Sequence, residues 1–294
     1  MKSLVLIIGA GQIGIAFKKV LLKNPKVRVF LWDKNPKKVK NQKPLKEIVP
    51  LMDFIFIAVP AGAVFEVAQN LYKIIQRKTI IISLTKGLDP KSGKTSFEVL
   101  KEFLPQQPLA VLSGPTLAEE LKKGEPAIAI IACRQKKIFQ RIKKIFEKTS
   151  LRLKFSTDEK GVSLSGVLKN IYAIVLGIAD GLHWGNNLKG WLVVEILKEW
   201  LSLSDELKIS PQIILGEAGL GDFIATGFSP VSRHHLAGKD LVNLKRKKAL
   251  KSEGAESLFF ILKRLKRKKY PILNCLSKIL QGKKASILSQ CLDR

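Results

Sequence analysis

The sequence is poor in cysteine, and the cysteines that it has are scattered. Its 294 residues include three of them, Cys133, Cys275 and Cys291, whose spacing matches neither a disulfide framework nor a metal site. His234 and His235 have no acid or cysteine at ligand spacing, so we interpret them as polar loop residues and expect no bound metal. Unpaired cysteines are typical of a reducing compartment, which predicts a cytoplasmic location.

Long hydrophobic runs are also missing. No stretch approaches the roughly twenty apolar residues that cross a membrane, and the nearest, residues 171–182, contains Asp180. The apolar run at the N-terminus ends at Gly9, without the small-residue cleavage site of a signal peptide. We therefore expect a cytoplasmic protein without a membrane span.

Acidic residues are scarce relative to basic ones, 24 against 52, and the formal net charge is +28. Such a charge suits nucleic acid, anionic lipid or an anionic substrate. The basic residues lie in mixed helical runs such as 245–248 and 263–269, where no aromatic residues are interleaved to stack on bases. We therefore interpret the charge as a solvated lysine-rich surface and expect no specific nucleic-acid partner, only weak non-specific binding of polyanions.

Apolar residues are plentiful at 46% of the sequence, beside 26% charged residues, which is typical of a globular protein. The length is enough for two domains of ordinary size. In the first half, short apolar runs alternate with helical patterns, which predicts βαβ units and a parallel sheet. The predicted strands are residues 4–8, 27–32, 54–59, 79–84, 109–113 and 127–132.

The pattern changes near residue 155, where a small polar cluster is followed by helical spacing almost to the end. We therefore predict an α/β fold with a Rossmann-type parallel sheet domain over residues 1–155, followed by an all-helical domain over residues 156–294. The predicted helices of the second domain are residues 161–182, 190–207, 211–216, 241–266 and 271–281.

Three glycines, Gly9, Gly11 and Gly14, stand between the first predicted strand and a helical pattern. This is the fingerprint of a dinucleotide site: the first glycine permits the turn, the second admits the pyrophosphate, and the third allows helix and strand to pack closely. Asp33 lies 19 residues after Gly14, at the end of the second strand, where an acid contacts the cofactor ribose. The alternative is a glycine-rich turn in an α/β domain that binds no nucleotide.

The residues after the second strand bear on the choice between NAD and NADP. Asp33 would accept hydrogen bonds from the ribose hydroxyls and repel a 2′-phosphate, which favours NAD. Lys34 beside it could instead meet a 2′-phosphate. Both cofactors therefore stay open, with NAD preferred.

A second glycine-rich segment, Gly219–Asp222, is followed by Ser232 and Arg233. It places a carboxylate and a guanidinium on a predicted loop between helices, and the planar guanidinium suits phosphate oxygens. Taken alone, Asp222 could be a helix cap and Arg233 a surface ion pair. Taken alone, Lys169 would be one solvated lysine among many.

Together, the motifs in this order resemble those of the NAD(P)-dependent glycerol-3-phosphate dehydrogenase family over nearly the whole chain. The segments that carry the resemblance, besides the glycine fingerprint, are Ala58–Pro60, Thr85–Gly87, Ser113–Glu120, Gly166–Ala173, Gly219–Asp222 with Ser229–Arg233, and Glu253–Gly254.

The resemblance implies a reversible hydride transfer between NAD(P)H and dihydroxyacetone phosphate, giving sn-glycerol 3-phosphate for glycerophospholipid synthesis, in a homodimer. It implies that Lys169 is the catalytic acid and base. The substrate-binding residues that it implies are Lys86, Gly114, Thr116, Lys169, Asp222, Ser232, Arg233 and His234. With the fingerprint residues, the expected cofactor-binding set is Gly9, Gly11, Gln12, Ile13, Gly14, Asp33, Lys34, Lys86, Ala118, Arg233 and Glu253.

Three positions depart from the family pattern. His234 stands where the family usually has asparagine, Lys34 stands where it has an arginine, and the segment between Asp33 and Asp53 is shorter than usual. Two other functions therefore stay open: a related dehydrogenase of another hydroxy acid, and a non-catalytic nucleotide-binding or polyanion-binding regulator. The joint presence of Lys169, Asp222 and Arg233 favours catalysis.

Overall fold

The computed structural model describes residues 2–266 and 270–291. The chain forms two compact units, residues 1–163 (unit 1) and residues 164–294 (unit 2). Unit 1 has an α/β architecture and unit 2 is helical, so the predicted fold class is confirmed. The division between the units lies a short way beyond the predicted boundary after residue 155, inside a long helix.

Unit 1 contains a sheet of seven strands. They are β1 (Ser3–Ile8), β2 (Val27–Trp32), β3 (Phe54–Ile57), β4 (Ile80–Ser83), β5 (Leu109–Ser113), β6 (Ala127–Ala132) and β7 (Leu151–Ser156). Their order across the sheet is β2-β1-β3-β4-β5-β6-β7. All six predicted strands are present. Each neighbouring pair is parallel except β5 and β6, which are antiparallel.

The antiparallel β6 corrects the expectation of a wholly parallel sheet. A parallel return needs a crossover long enough to carry the chain back along the preceding strand. The connection from β5 to β6 holds a helix of six residues, which spans about 9 Å at 1.5 Å per residue. The five residues of β5 extend about 17 Å. The helix of this connection does not cover the length of β5, and the chain enters β6 antiparallel to β5.

Strand β7 is absent from the sequence-based prediction. It alternates apolar Leu151, Leu153 and Phe155 with basic Arg152 and Lys154, which is the period-2 pattern of a strand with one solvated face. Continuous apolar runs mark strands buried on both faces, and β7 has no such run. β7 lies at the edge of the sheet, parallel to β6.

Helices cover the sheet of unit 1 and close its core. Phe17, Phe56 and Phe146 meet there with ring centroids 6.1 to 6.3 Å apart, the spacing of tilted and edge-to-face aromatic pairs. The helices are α1 (Gln12–Leu21), α2 (Leu45–Ile48), α3 (Val64–Tyr72), α4 (Ser96–Phe103), α5 (Ala118–Lys123) and α6 (Lys136–Ile145).

Unit 2 consists of helices, with α7 beginning in unit 1. They are α7 (Glu159–Gly181), α8 (Asn186–Leu207), α9 (Pro211–Leu215), α10 (Asp222–Gly227), α11 (Arg233–Val242), α12 (Arg246–Ala249), α13 (Glu253–Arg264) and α14 (Pro271–Leu280). The single helix predicted over residues 241–266 is wrong, because the chain there forms the end of α11, then α12 and α13. Leu244 has a φ of 58°, which a helix does not accept, and the Ser252 hydroxyl caps a new helix by accepting from the Ala255 amide.

Helix α7 is the central apolar helix of unit 2. Within the described residues it alone is long and apolar enough to cross a membrane, with 23 residues and a mean hydropathy of 1.7 over its best window. That window is completely buried inside the protein. Its apolar character therefore matches that of a core helix, whose whole circumference is packed.

Candidate functional site

In unit 1, the predicted site residues follow the strand ends. Gly9 follows β1, Asp33 follows β2, Lys86 lies beyond β4, and Gly114 follows β5. Strands β1 to β5 are parallel, so their carboxyl ends share one edge of the sheet. Ligands of such sheets bind beyond the carboxyl ends of the strands. The fold therefore assembles these residues where a nucleotide site is expected.

The glycine fingerprint has the geometry that its residue types require. Gly9 has a φ of 111°, and a Cβ there would lie 2.4 Å from the Ala58 carbonyl oxygen. A Cβ on Gly14 would lie 1.9 Å from the Gly9 carbonyl oxygen. Real Cβ atoms do not come this close to backbone oxygen, so both positions need glycine. The turn and the start of α1 are packed against each other.

Gly11 differs from its two neighbours in the fingerprint, because a Cβ there would meet nothing within 4 Å. It precedes α1, whose first residues, Gln12 and Ile13, carry backbone N–H groups without partners earlier in the helix. The helix dipole makes this end attractive to anions. The open space over Gly11 and the amides behind it fit the pyrophosphate of NAD or NADP, so the residues present suit the predicted cofactor.

The Asp33 carboxylate is turned toward the glycine turn. Oδ2 accepts from the Ala10 amide at 2.8 Å, Oδ1 accepts from the Asn35 amide at 2.9 Å, and the Lys38 ammonium lies 3.5 Å from Oδ2. Burial alone would raise the pKa of Asp33, but the two amides and Lys38 outweigh it and lower the pKa of this carboxyl below its ordinary value. Asp33 therefore stays ionised and joins the end of β2 to the turn.

Lys34 extends from the same loop to α3. Its ammonium donates to both carboxylate oxygens of Glu66, at 2.8 and 2.9 Å, and both side chains are largely exposed. An exposed pair of this kind contributes little to stability. It does set the charge beside the Asp33 loop, because the lysine that could meet a 2′-phosphate is already paired with an acid.

Three residues predicted to bind substrate meet after β4 and β5. The Lys86 ammonium donates to the Gly114 carbonyl oxygen at 3.0 Å, and the Thr116 hydroxyl donates to the same oxygen at 3.0 Å. Gly114 has a φ of 137°, which glycine adopts readily. The structure thus brings Lys86 to Gly114 and Thr116, which lie 28 and 30 positions further along the chain.

Gln12 and Ala118, both predicted to contact the cofactor, lie on neighbouring helices of unit 1. Ala118 is the first residue of α5, and Lys122 on the same helix donates to the Gln12 side-chain oxygen at 2.7 Å. Lys122 also pairs with Glu119 at 2.6 Å. These contacts hold the start of α1 beside α5.

In unit 2, Lys169 lies on α7 and is only 6% exposed. Its ammonium lies 2.7 Å from the Thr226 hydroxyl and 3.1 Å from Asp222 Oδ1, and Asp222 is 1% exposed. The Thr226 hydroxyl donates in turn to Asp222 Oδ1 at 3.2 Å. The interpretation of Lys169 as a solvated lysine is therefore excluded. Burying a charged pair costs several kcal/mol of desolvation, so its presence points to a function rather than to stability.

The segment that carries Asp222 is helical, which corrects the predicted loop. Residues Glu217–Gly221 form a turn of π-helix, closed by the Gly221 amide donating to the Gly216 carbonyl at 3.1 Å, and α10 follows directly. Single π turns occur often at functional sites. Asp222 is thus the first residue of a short helix, with its side chain directed at Lys169.

Thr226 is a site residue that the sequence analysis missed. It lies four residues after Asp222, so both side chains point to the same face of α10. That spacing is the signal that could have found it once the segment was recognised as a helix. The prediction of a loop removed the reason to look at this position.

Aromatic packing holds α10 against α7 and α8. Tyr172, Trp200 and Phe223 form a cluster with ring centroids 5.5 to 6.4 Å apart, and each such pair contributes about 0.5–1.5 kcal/mol beyond the area that it buries. Tyr172 follows Lys169 on α7, and Phe223 follows Asp222 on α10. Burial, and then the neighbouring charge of Glu199, raise the pKa of Tyr172. The Tyr172 hydroxyl therefore stays neutral and donates to Glu199 at 3.2 Å.

The predicted phosphate-binding residues are consecutive at the start of α11. Ser232 is the N-cap and accepts from the His235 amide, so the expected loop is again a helix terminus. The Arg233 guanidinium is exposed, and no hydrogen bond or ion pair holds it within residues 2–266 and 270–291, unlike the surface ion pair considered above. His234 and His235 are buried helical residues, which corrects their interpretation as loop residues.

Glu253, the last predicted cofactor residue, begins α13. The next residue, Gly254, lies so close to α7 that a Cβ there would be 2.7 Å from the Asn170 carbonyl oxygen. The start of α13 is thus packed against the backbone next to Lys169. Across the part of the chain that the structure describes, no group of three or more His, Cys, Asp or Glu side chains could hold a metal ion.

Comparison with known families gives two matches, one in each half of the chain. Residues 33–139 match the family described as NAD-dependent glycerol-3-phosphate dehydrogenase N-terminus. Residues 158–288 match the family described as NAD-dependent glycerol-3-phosphate dehydrogenase C-terminus. Together they include both the Asp33 loop and the Lys169 cluster.

Individual proteins agree with the family matches. A glycerol-3-phosphate dehydrogenase (NAD(P)+) of Synechocystis sp. is 32% identical over 288 residues, which cover 95% of this chain and 89% of that protein. One of Synechococcus sp. is 35% identical over 236 residues, covering 80% of this chain and 74% of that protein. A crystal structure of glycerol-3-phosphate dehydrogenase from Coxiella burnetii has a TM-score of 0.88 at 26% identity, covering 100% of this chain and 99% of that one.

Proposed function

Because this chain belongs to the NAD-dependent glycerol-3-phosphate dehydrogenase family, we propose that it interconverts dihydroxyacetone phosphate and sn-glycerol 3-phosphate. It is an oxidoreductase that uses NAD(P). The observation that carries the proposal is the buried Lys169 ammonium, held by Asp222 and Thr226 at 3.1 and 2.7 Å.

Lys169 is proposed as the acid and base of the reaction. NAD(P)H, when bound, supplies the hydride that reduces the carbonyl carbon of the substrate. The Lys169 ammonium hydrogen-bonds the carbonyl oxygen, stabilises the negative charge that develops there, and then donates a proton to complete the hydroxyl group. In the reverse direction the neutral amine takes that proton back. Asp222 and Thr226 orient the ammonium throughout.

Arg233 is proposed to bind the phosphate group of the substrate. Its guanidinium is exposed at the start of α11, where the helix dipole also favours an anion. A planar guanidinium makes two parallel hydrogen bonds to phosphate oxygens, which a lysine cannot do. Ser232 and His234 beside it, and Lys86, Gly114 and Thr116 in unit 1, keep their proposed role as substrate-binding residues.

The cofactor is proposed to bind over Gly9, Gly11 and Gly14, with its pyrophosphate at the first amides of α1. Gln12, Ile13, Lys86, Ala118, Arg233 and Glu253 keep their proposed role as further cofactor contacts. Asp33 and Lys34 are proposed to flank the ribose. The ionised Asp33 supports the preference for NAD, and the Glu66 pairing of Lys34 adds to it by offsetting the charge that would attract a 2′-phosphate.

We propose a cytoplasmic enzyme without a membrane span, supported by the complete burial of the apolar window of α7 inside the protein. We also propose a homodimer that supplies glycerophospholipid synthesis, for which the family is the support. Sedimentation at micromolar concentration tests the dimer, because a mass of one chain would exclude it.

The direct test is oxidation of NADH or NADPH by dihydroxyacetone phosphate with the purified protein. Lys169→Ala should lower kcat about a thousandfold, within the range that a positioned acid–base group contributes. Lys198→Ala is the matched control, because this lysine also lies on a helix of unit 2 but is 68% exposed and pairs with Glu195. Unchanged turnover in Lys169→Ala would remove the proposed mechanism. No oxidation with either cofactor would favour the other dehydrogenase or the non-catalytic regulator.

A second variant tests the phosphate site. Arg233→Ala should raise the KM for dihydroxyacetone phosphate about tenfold to hundredfold, because a hydrogen-bonded charge contributes about 1.5–3 kcal/mol. With the cofactor at saturating concentration, so that the proposed cofactor contact of Arg233 does not limit the rate, the same variant should behave like wild type with dihydroxyacetone, which lacks the phosphate. An equal loss with both substrates would contradict the role of Arg233 in phosphate binding.

A further inference from the structure

His235 is a buried histidine that the proposed reaction does not use. It is the third residue of α11 and is 5% exposed. Its backbone N–H donates to the Ser232 hydroxyl that caps the helix. The side chain is therefore anchored next to Arg233, in the turn where α11 begins.

Both ring nitrogens of His235 face oxygen atoms that can only accept hydrogen bonds. Nδ1 lies 2.6 Å from the Gly227 carbonyl oxygen, and Nε2 lies 3.3 Å from Asp180 Oδ2. A neutral imidazole carries one N–H and one lone pair, whereas an imidazolium carries two N–H groups. A neutral ring would turn its lone pair toward one of these oxygens, so the geometry matches the doubly protonated form.

The groups around the ring support a charged pair. On α7, Asp180 accepts from Lys239 of α11 at 3.1 Å and from Lys189 of α8 at 3.5 Å. Burial would raise the pKa of Asp180, but the hydrogen bond and the charge of Lys239 are the largest of the causes that lower it, and the pKa of this carboxyl lies below its ordinary value. Asp180 is therefore an anion that can accept from Nε2. From α10 the ring meets the Gly227 carbonyl.

Backbone packing holds the ring in this place. A Cβ on Gly177 would lie 2.0 Å from the His235 carbonyl oxygen, and a Cβ on Gly238 would lie 2.1 Å from the Ile174 carbonyl oxygen. The backbones of helices α7 and α11 are therefore in contact where the helices cross, at Gly177 of α7 and at Gly238 of α11. Interiors packed this closely have little free space, so the His235 backbone cannot move away from α7 without separating the two helices.

We propose that His235 is an imidazolium that fastens the end of α10 to α7 and is a positioning residue for Lys169. Gly227, whose carbonyl accepts from the ring, is the last residue of α10 and directly follows Thr226. Thr226 is the hydroxyl that Lys169 contacts at 2.7 Å. Holding Gly227 keeps Thr226 and Asp222 against the ammonium. This effect on turnover rests on the proposed function, whereas the charge on the ring does not.

The charge can be measured without any activity. The chain has three histidines, so ¹⁵N spectra of the imidazole rings can be assigned with His183→Gln and His234→Gln. At neutral pH we expect both nitrogens of His235 to be protonated in the wild-type protein. In Asp180→Asn the amide can donate to Nε2, so that ring should be neutral with its proton on Nδ1. A neutral ring in wild type, or the same ring state in both proteins, overturns the proposal.

The positioning role is measured by kinetics in the same proteins. His235→Gln should lower kcat about tenfold, short of the hundredfold that follows a misplacement of about 1 Å. Asp180→Asn should lower kcat a few-fold, because a neutral hydrogen bond replaces a charged one. Lys239→Gln is the matched control: it removes the other main partner of Asp180 and should keep kcat within about twofold of wild type, since this lysine is 43% exposed.

The outcomes separate the two proposals. Equal losses in Asp180→Asn and Lys239→Gln overturn the positioning role, and this pair also decides the question if His235→Gln does not fold. If the wild-type protein does not reduce dihydroxyacetone phosphate at all, the proposed function fails. The ¹⁵N spectra then still show whether His235 is the charged fastener of α10.

Discussion

The two units hold their candidate site residues in different ways. In unit 1 the site is mostly backbone: Gly9 and Gly14 are required by close contact, and Gly11 leaves open space before the amides of α1. In unit 2 the site is made of side chains: Lys169 and Asp222 are almost fully buried and depend on each other for charge balance.

This difference shows two ways of preparing a binding site. A backbone site depends on the missing side chain of glycine, which leaves room and permits a φ that other residues avoid. A side-chain site depends on the polar groups around it, because a buried ammonium is tolerated only when hydrogen-bond acceptors surround it. Substitutions at the glycines of unit 1 should therefore act by filling space, and those around Lys169 in unit 2 by removing hydrogen-bond partners.

At the glycine turn of unit 1, the largest effect is expected from Gly14→Ala. The added methyl group would lie 1.9 Å from the Gly9 carbonyl oxygen, so either the turn or α1 must move. We expect a loss of about 3 kcal/mol in the free energy of unfolding, at the upper end for overpacking, together with loss of cofactor binding. Thermal unfolding and NADH fluorescence measure the two effects. A variant with wild-type stability and affinity would show that the glycine turn accommodates the methyl group at little energetic cost.

Gly11→Ala makes the same chemical change at the open position. The methyl group meets nothing within 4 Å, so the melting temperature should stay within about one degree of wild type. It does fill the space proposed for the pyrophosphate, and we expect NADH to bind about thirtyfold more weakly, a loss of ~2 kcal/mol. Unchanged affinity would show that the pyrophosphate does not bind over Gly11, and would contradict the proposed difference between Gly11 and Gly14.

In unit 2, Thr226→Val removes a hydroxyl while keeping the shape of the side chain. Lys169 then loses one acceptor and Asp222 one donor, and we expect kcat to fall about tenfold, a loss of ~1.4 kcal/mol. Thr149→Val in unit 1 is the control, since its hydroxyl bonds only to nearby backbone. If the two variants have the same kcat, the hydroxyl does not orient Lys169.

The smallest effect is expected from Asp33→Asn, through its dependence on pH. The folded-state pKa of Asp33 is lowered, so its ionised form stabilises the fold above the unfolded value near 3.9. This contribution is lost as the pH falls through the folded value. We expect Asp33→Asn to cost about 1 kcal/mol at pH 7, the size of one hydrogen-bond contribution, and less below pH 4. Urea unfolding at both pH values measures it, and a constant difference would exclude the ionised carboxylate as the cause.

The sequence predicted unit 1 more fully than unit 2. Glycine spacing, buried strands and Asp33 are local signals, and they predicted Gly9 and Asp33 directly after β1 and β2, where the structure has them. The predicted helix over residues 241–266 failed because Leu244 and Ser252 break it, and side-chain spacing carries no mark of a positive φ. The edge strand β7 has the alternation of apolar and basic residues that indicates a strand, but the prediction did not use this alternation.

The side-chain contacts in unit 2 could not be predicted from local sequence, because they join residues that lie far apart in the chain. Thr226 was missed because its relevance depends on Lys169, which lies 57 positions away. His235 was interpreted as a loop residue because no helix was predicted at the start of α11, and its partners, Gly227 and Asp180, are on other helices.

By itself the sequence determined the α/β and helical halves, the glycine turn and the lysine, acid and arginine that the family resemblance singled out, since residue type and spacing dictate backbone shape over short distances. Only the tertiary structure decided that Asp33 bonds the glycine turn, that Thr226 joins Asp222 at the Lys169 ammonium, and that His235 lies between two acceptors. Those contacts join residues far apart in the chain, and their energies depend on distance and burial in space.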